Sequence, residues 1–296
     1  MKLFDLHCDT AYEIYKANSD LYKNSFHVDL ERASVYEDYR QIMAVWSDKN
    51  SSDEECFAQF FKIADHLKKH TSLFPNNQSF FLSVEDARLL CGRLERLNDI
   101  FEAGVRFLIP VWGGENILGG AFDTSIGLTK FGKDVIHRCF ELGIVPDISH
   151  SSVESANDIF NIAEIHNKPV IASHSCSFSV YDHQRNLHDD QFYRIKDIGG
   201  VVGMNFCRYH LTEAEKQCTV RNILLHIEHF LNLGGENVIC IGADMDGAPM
   251  PDGISGIEDV HVIYENLCDS FGKTIADKVT FGNANNFINN NLINER

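Results

Sequence analysis

The sequence predicts an α/β protein folded as a closed (β/α)8 barrel, and three observations carry that expectation. Short β-rich runs alternate with longer amphipathic stretches, eight such runs can be counted, and several amphipathic stretches close on a glycine just before the next run. A length of 296 residues suits one TIM-type barrel, so residues 1–296 are read as a single domain. The open doubly wound sheet is the alternative. It lacks its fingerprint here, because no Gly-x-Gly-x-x-Gly follows the first run and no Walker-type phosphate loop occurs.

The first strand is expected at 3–8 (LFDLHC) and the second at 41–47 (QIMAVWS). A helix over 53–69 follows, with Phe57, Phe60, Phe61, Ala64 and Leu67 at helical spacing. The third strand, 79–84, leads into a helix at 87–102 that Gly104 closes; the fourth, 105–111, is followed by a helix at 131–142 closed by Gly143. Strand 144–149, helix 152–165 and strand 169–173 come next. Strand 200–206 begins after Gly199, and helix 219–233 leads into the eighth strand at 237–243.

Charge and cysteine usage narrow the function classes. With 26 Lys+Arg against 43 Asp+Glu the formal charge is −17, and no basic cluster is longer than Lys68-Lys69, which argues against nucleic acid or an anionic membrane surface as partner. The N-terminal segment carries charge at positions 2, 5 and 9, unlike the apolar core of an export signal, and no stretch approaches 18 uncharged apolar residues. Nine cysteines without a C-x-x-C pair suit reduced thiols, so a cytoplasmic location is expected.

Barrel active sites stand at the C-terminal strand ends. There the sequence places His7 and Asp9 (strand 1), Glu85 (3), Trp112 (4), His150 (5), His174 (6), Asn205 (7) and Asp244 (8). Residues two apart on a strand share a side, so His7 and Asp9 can face one ion while Cys8 points away. Imidazoles with carboxylates form a donor set for Zn²⁺ and also for Mn²⁺, Fe²⁺ or Co²⁺. Each residue taken singly has a plainer reading. Glu85 suits a helix N-terminus, His150 can help cap a helix opening near Ser151 or Ser152, and His174 can be a core histidine bonded to backbone. Position favours the ligand reading, because five acidic or imidazole groups at four strand ends would otherwise converge unpaired in one cavity.

Other candidates carry less. His66 and His70 are four apart on a helix, but flanking Lys68 and Lys69 and the lack of an H-E-x-x-H pattern favour a solvated face. His226 and His229 sit in an otherwise apolar helix and read as packing residues. No Gly-x-Ser-x-Gly elbow exists, and Cys176 has no second histidine at a nucleophile's usual spacing.

Taken together, His7-Cys8-Asp9, Glu85, Asp147-Ile148-Ser149-His150, Ser173-His174-Ser175, Arg185-Asn186 with Asp189-Asp190, and Gly242-Ala243-Asp244-Met245-Asp246-Gly247 resemble the membrane dipeptidase (renal dipeptidase) family of zinc peptidases, peptidase family M19, in its soluble microbial branch. The motifs run from residue 7 to residue 247 in the family's order. The resemblance implies a barrel of the metal-dependent amidohydrolase type that hydrolyses dipeptides, some with a C-terminal D-residue, and works as a homodimer. It also implies two Zn²⁺ ions, the first held by His7 and Asp9, the second by His150 and His174, with Glu85 bridging. The nucleophile would be a metal-bridging hydroxide. Asp244 matches the catalytic acid/base and Arg185 the residue that binds the substrate's free carboxylate; Asp246 reads as structural. Asn116 matches a position near the substrate. One departure stands out: Trp112 occupies the place of a carbonyl-polarising histidine, and an indole has one N–H donor and no charge. Another binuclear amidohydrolase, such as an N-acyl-amino-acid deacylase, would use the same groups. A non-catalytic metal-binding barrel is the reading from another class, and Asp244 speaks against it.

Overall fold

A computed structural model describes residues 1–70, 75 and 78–293. Eight parallel strands form one sheet: β1 (Leu3–Cys8), β2 (Tyr39–Trp46), β3 (Gln78–Glu85), β4 (Val105–Ile109), β5 (Val145–Pro146), β6 (Ala172–Ser175), β7 (Val202–Met204) and β8 (Ile239–Ile241). Their order is β5-β4-β3-β2-β1-β8-β7-β6. The two end strands also meet. Asp147 pairs in parallel with Ile171, the Ile148 N–H donates to the Ile171 carbonyl (2.9 Å) and the Ile171 N–H to the Pro146 carbonyl (3.1 Å). The ring is therefore closed, as a (β/α)8 barrel requires, and the open-sheet alternative falls.

All eight expected strands are present, but several are shorter than their apolar runs. Two buried aspartates account for part of this. Asp147 Oδ1 accepts the N–H groups of Ser149 (2.9 Å) and Ser173 (3.1 Å), so a side chain replaces ladder bonds just beyond β5. Asp5 Oδ1 does the same between β1 and β8, accepting from His7 N–H (3.1 Å) and Ala243 N–H (2.9 Å). Near β6, Pro169 has no N–H to give, and regular pairing starts only at Ala172.

The outer layer comprises α1 (Thr10–Lys16), α2 (Leu30–Ala33), α3 (Asp53–Lys69), α4 (Arg96–Glu102), α5 (Lys130–Leu142), α6 (Val153–His166), α7 (Asp189–Asp197), α8 (Arg208–Leu211), α9 (Val220–Asn232), α10 (Val260–Phe271), α11 (Lys273–Asp277) and α12 (Asn283–Ile288). The α3 boundaries match expectation, because Ser52 and Glu55 form a reciprocal capping box. Helix α5 ends on Gly143 at φ 79°, the left-handed conformation its C-cap needs. The helix expected at 87–102 is broken instead. A single 3-10 turn (Ala87–Leu90) stops at Cys91 and Gly92, both at positive φ, and α4 starts only at Arg96.

The N-terminal end of the barrel is plugged. Phe4, Leu6, Ile42, Phe107 and Ile171 meet Phe287 and Ile288 of α12 in one apolar cluster, and the Asn283 amide donates to the Ile239 carbonyl (2.7 Å). A second, larger core fills the space between strands and helices. The barrel interior opens at its C-terminal face, where barrel sites stand.

His226 of α9 is fully buried and bonded through both ring nitrogens. Nδ1 accepts the Ser177 N–H (2.9 Å), and Nε2–H donates to the Leu211 carbonyl (3.1 Å), tying α9 to two site-side loops. Burial pushes its pKa down to about 4. The unfolded chain protonates this imidazole near 6.5, so between those values the unfolded state binds the extra proton. The stability from this site is complete above pH 6.5 and is lost as the pH falls to about 4, a change on the order of 3 kcal/mol. Thermal melts at pH 7 and pH 4.5 should show a smaller acid destabilisation in His226→Asn than in the parent; equal slopes would remove His226 from that role.

Candidate metal centre

Five ligand-type side chains converge at the open end of the barrel, carried there by the ends of four strands. Strand β1 is bulged: Asp5 pairs with Gln41 and Cys8 with Met43, so three steps oppose two. Strand β6 is bulged in the same way between Ala172 and Ser175. Bulges of this kind re-aim side chains at barrel rims. They bring His7 and His174 ring to ring, with centroids 3.8 Å apart, while Cys8 packs in the outer core. The close approach needs room. A Cβ on Gly203 or Gly242 would run into the Ser173 carbonyl beside His174.

Glu85, the last residue of β3, reaches both halves of the cluster. Its Oε2 lies 3.5 Å from His7 Nε2; its Oε1 lies 3.0 Å from His150 Nε2 and 3.8 Å from His174 Nε2. Asp9 Oδ2 is 3.4 Å from His7 Nε2, and Asp244 Oδ1 is 4.0 Å from it. Two groups of donor atoms lie within 4.8 Å of one another, His7 with Glu85 and His174, and His7 with Asp9 and Asp244.

The far ring nitrogens are held from behind. His150 Nδ1 bonds the Trp112 carbonyl (2.9 Å), and His174 Nδ1 bonds Ser173 Oγ (2.8 Å). A carbonyl can only accept, so His150 carries its proton on Nδ1 and its Nε2 lone pair points inward, 2.9 Å from His174 Nε2. His150 stands at φ 69° and Asp244 at φ 62°. For non-glycine residues that conformation costs about 1–3 kcal/mol and is found where surrounding structure enforces it.

Charge in the cluster is uncompensated. Burial pushes Asp9 up to about 8, with the Glu85 and Asp244 charges adding to the effect. Burial also raises Asp244 to about 6, partly offset by His7. Glu85 withstands burial, because His7 and His150 hold it well below the usual carboxylate range. Burial, with Arg185, lowers His150 to about 4; burial, with His7, takes His174 well below the ordinary imidazole value. His7 Nε2 is buried with no hydrogen-bond partner. Neutral imidazole lone pairs, crowded carboxylates and an orphaned ring nitrogen all facing one point are what a divalent cation satisfies, so the residues fit the metal.

The plainer readings now resolve. The acid at the helical turn after β3 is Asp86, which accepts the Arg88 N–H (3.3 Å), and the α6 cap is Ser152, which accepts the Ser155 N–H (2.9 Å). Glu85 and His150 are left to the cavity. Cys176 is buried, its thiol donates to the Asn205 carbonyl (3.3 Å), and burial holds its pKa well above the ordinary range. His66 bonds the Ser19 carbonyl (3.0 Å), and His229 pairs with Asp189 (2.8 Å).

Around the cluster lies a cavity of about 480 Å³, whose walls include Asp9, Glu85, Trp112, His150, Arg185 and Asp244. Arg185 is buried. Its Nη2 donates to the His174 carbonyl (3.1 Å), its Nη1 to Ser175 Oγ (3.4 Å), and its Nε–H has no acceptor. Asn205 Nδ2 donates to Asp244 Oδ2 (3.1 Å) and fixes that carboxylate. Asn116 is placed otherwise than expected. It is not among the cavity walls: Nδ2 donates to Asp86 Oδ1 (2.7 Å) and the Pro110 carbonyl (2.8 Å), and Oδ1 accepts from Leu118 and Gly119, so its amide braces the loop after β4. Asp246 is likewise spent, accepting from Thr10 Oγ1 (2.5 Å) and His27 N–H (2.6 Å).

Sequence reasoning missed Trp46, Tyr12, Phe122 and His210, which also line the cavity. Trp46 was accessible, since it ends β2 and pairs in register with Glu85. Phe122 lies in the loop after β4 and His210 in the one-turn helix α8, and neither offered a signal.

Comparisons with known proteins find relatives of the chain. A Schizosaccharomyces pombe protein named as an uncharacterized dipeptidase is 29% identical over 210 residues, 69% of this chain; the chain spans about half of that relative's length (50%). The crystal structure of a Rhodobacter sphaeroides metallo peptidase, liganded with a phosphinate mimic of the dipeptide L-Ala-D-Ala, superposes with a TM-score of 0.89 at 21% identity, covering 98% of this chain and 99% of that one. A further crystal structure, of the dipeptidase AC, gives a TM-score of 0.88 at 21% identity over 98% of both chains. At that identity the two structures show the fold. The family model for membrane dipeptidase (peptidase family M19) matches residues 57–290, and the chain belongs to that family.

Proposed function

We propose that the protein is a metal-dependent dipeptidase, a hydrolase acting on the peptide bond of dipeptides. The observation that carries this reading is the convergence of His7, Asp9, Glu85, His150 and His174 on one point of a cavity that also holds a buried guanidinium with an unused donor. His7 and Asp9 would hold one divalent cation, His150 and His174 a second, and Glu85 both. Zn²⁺ is the ion of choice for this donor set, and Mn²⁺, Fe²⁺ and Co²⁺ share its ligand preferences. Such ions, when bound, supply Lewis acidity: they bring the pKa of a water close to neutrality and polarise the scissile carbonyl.

The chain's own groups supply the remainder. Arg185 anchors the free carboxylate of the substrate through its planar fork, which favours dipeptides over longer peptides. Asp244, steadied by Asn205, takes up the proton of the attacking water and passes it to the leaving amine. Trp112 offers one indole N–H to the substrate. Dipeptides ending in a D-residue are included, in line with the ligand of the Rhodobacter sphaeroides structure. We further assign residues 1–296 to one domain, a homodimeric assembly and a cytoplasmic setting. No helix among the described residues is long and apolar enough to cross a membrane.

The test is a hydrolysis panel of L-L and L-D dipeptides and N-acyl-amino acids, on protein whose metal content is measured in the same preparation. Turnover of free dipeptides at two metals per chain is expected. Turnover of N-acyl-amino acids alone would make the enzyme a deacylase, and no turnover at full metal content would leave a binding barrel. Arg185→Ala should lower kcat/KM for dipeptides, chiefly through KM, by roughly 10- to 100-fold, the worth of a hydrogen bond to a charged group. Dipeptide amides, which lack the carboxylate, should be much less affected; equal losses on both would remove the anchoring role.

A further inference from the structure

The chain has two tryptophans, and both stand in this cavity. Trp46 ends β2 and Trp112 follows β4, and their rings lie 5.2 Å apart at 58°. Tyr12 meets Trp46 edge-on at 5.5 Å, and Phe122 closes the far side of His150 at 6.1 Å. The Trp46 indole N–H is buried without an acceptor among the described residues, a donor left for something that enters the cavity. Strands β2 and β6 are four apart in a closed ring of eight, hence diametrically opposed. Tyr12 and Trp46 therefore face, across the mouth, the loop after β6 that carries Arg185, with Trp112 beside Trp46; Phe122, which follows β4, also lines a smaller cavity together with Arg185.

We infer that Tyr12, Trp46 and Trp112 form the pocket for the N-terminal side chain of the substrate, and that the enzyme prefers dipeptides whose first residue is aromatic or bulky and apolar. This rests on the dipeptidase reading and on Arg185 as the carboxylate anchor. With the C-terminal carboxylate at Arg185 and the scissile bond over the metal ligands, the first residue extends toward β2 and β4. Three aromatic faces there offer apolar area and edge-to-face contacts to a ring. On a cationic side chain Lys16, whose ammonium lies over the Tyr12 ring at 5.5 Å, and the acidic Glu13 and Asp123 of the cavity walls act in opposite directions, so the aromatic faces set the preference. Trp112 thus has two tasks: its carbonyl orients His150 and its indole shapes the pocket.

The experiment compares kcat/KM of the metal-loaded enzyme on Phe-Ala, Ala-Ala, Lys-Ala and Ala-Phe, with emission titrations using the matching reduced-amide isosteres, since both emitting indoles line the pocket. Phe-Ala is expected to exceed Ala-Ala by at least about tenfold, the range a hydrophobic pocket can discriminate. That ratio should fall toward one in Trp46→Leu and Trp112→Ala, the first guarding against misfolding of the second. A preference for Lys-Ala or Ala-Phe, or equal rates on all four, would overturn the inference while leaving a dipeptidase. Absence of hydrolysis would remove the dipeptidase reading instead. The isosteres then decide the pocket: an emission change with at least tenfold tighter binding of the Phe-Ala isostere keeps it, and equal or absent binding overturns it.

Discussion

Glu85→Ala is expected to leave the protein with fewer than two divalent cations per chain and with dipeptide hydrolysis reduced beyond the roughly 10- to 100-fold that outer-shell partners of a metal site cost. Glu85 is the one carboxylate whose two oxygens address different histidines, Oε2 toward His7 and Oε1 toward His150 and His174. Two cations held close together repel, and a shared anion offsets that repulsion. Against burial, Glu85 and Asp9 raise the His7 pKa, and the substitution removes the first of those two charges. Elemental analysis of purified variant and parent, alongside thermal melts with and without added metal, reads both effects. Metal content should fall, and the stabilisation by added metal should shrink with it, because metal binding is folding free energy. Two retained cations with normal turnover would place the bridge elsewhere.

Asp244→Asn should separate chemistry from metal binding. The replacement keeps shape and the contact with Asn205 but cannot carry a proton, so kcat is expected to fall by roughly 10²- to 10⁴-fold, the worth of a general acid/base group. Metal content should stay at the parent level. Asp244 Oδ1 also stands within the donor group formed with His7 and Asp9, so the measurement has a definite alternative: activity and metal lost together would make Asp244 a ligand. Near-normal turnover would give the proton transfer to another group.

The location of the candidate ligands was legible in the sequence because it follows from two simple periodicities. Eight β-rich runs separated by helical stretches determine a parallel barrel, and a barrel determines which end of each run carries chemistry. Hence His7, Asp9, Glu85, His150 and His174 could be named from linear position, and the structure brings all five to one cavity mouth. Helix ends with strong local signals, such as the Ser52–Glu55 box before α3, were equally readable.

What the sequence could not supply was long-range. The bulges in β1 and β6 depend on register against β2 and β7, and without them His7 and His174 would not meet. His150 and Asp244 stand at positive φ, and the His150 ring is held by a residue far away in the chain, through the Trp112 carbonyl on its Nδ1. Asn116 illustrates the converse: it was expected near the substrate, but Asp86 and the Pro110 carbonyl take its amide and it stands outside the cavity walls. The aromatic wall of Tyr12, Trp46 and Trp112 is assembled from three separate segments, and no local pattern records it. By itself the sequence determined the barrel and the ligand types, because those follow from local periodicity and side-chain chemistry. Ligand orientation, the buried charge balance and the shape of the pocket were decided by tertiary structure, because each depends on contacts between segments far apart in the chain.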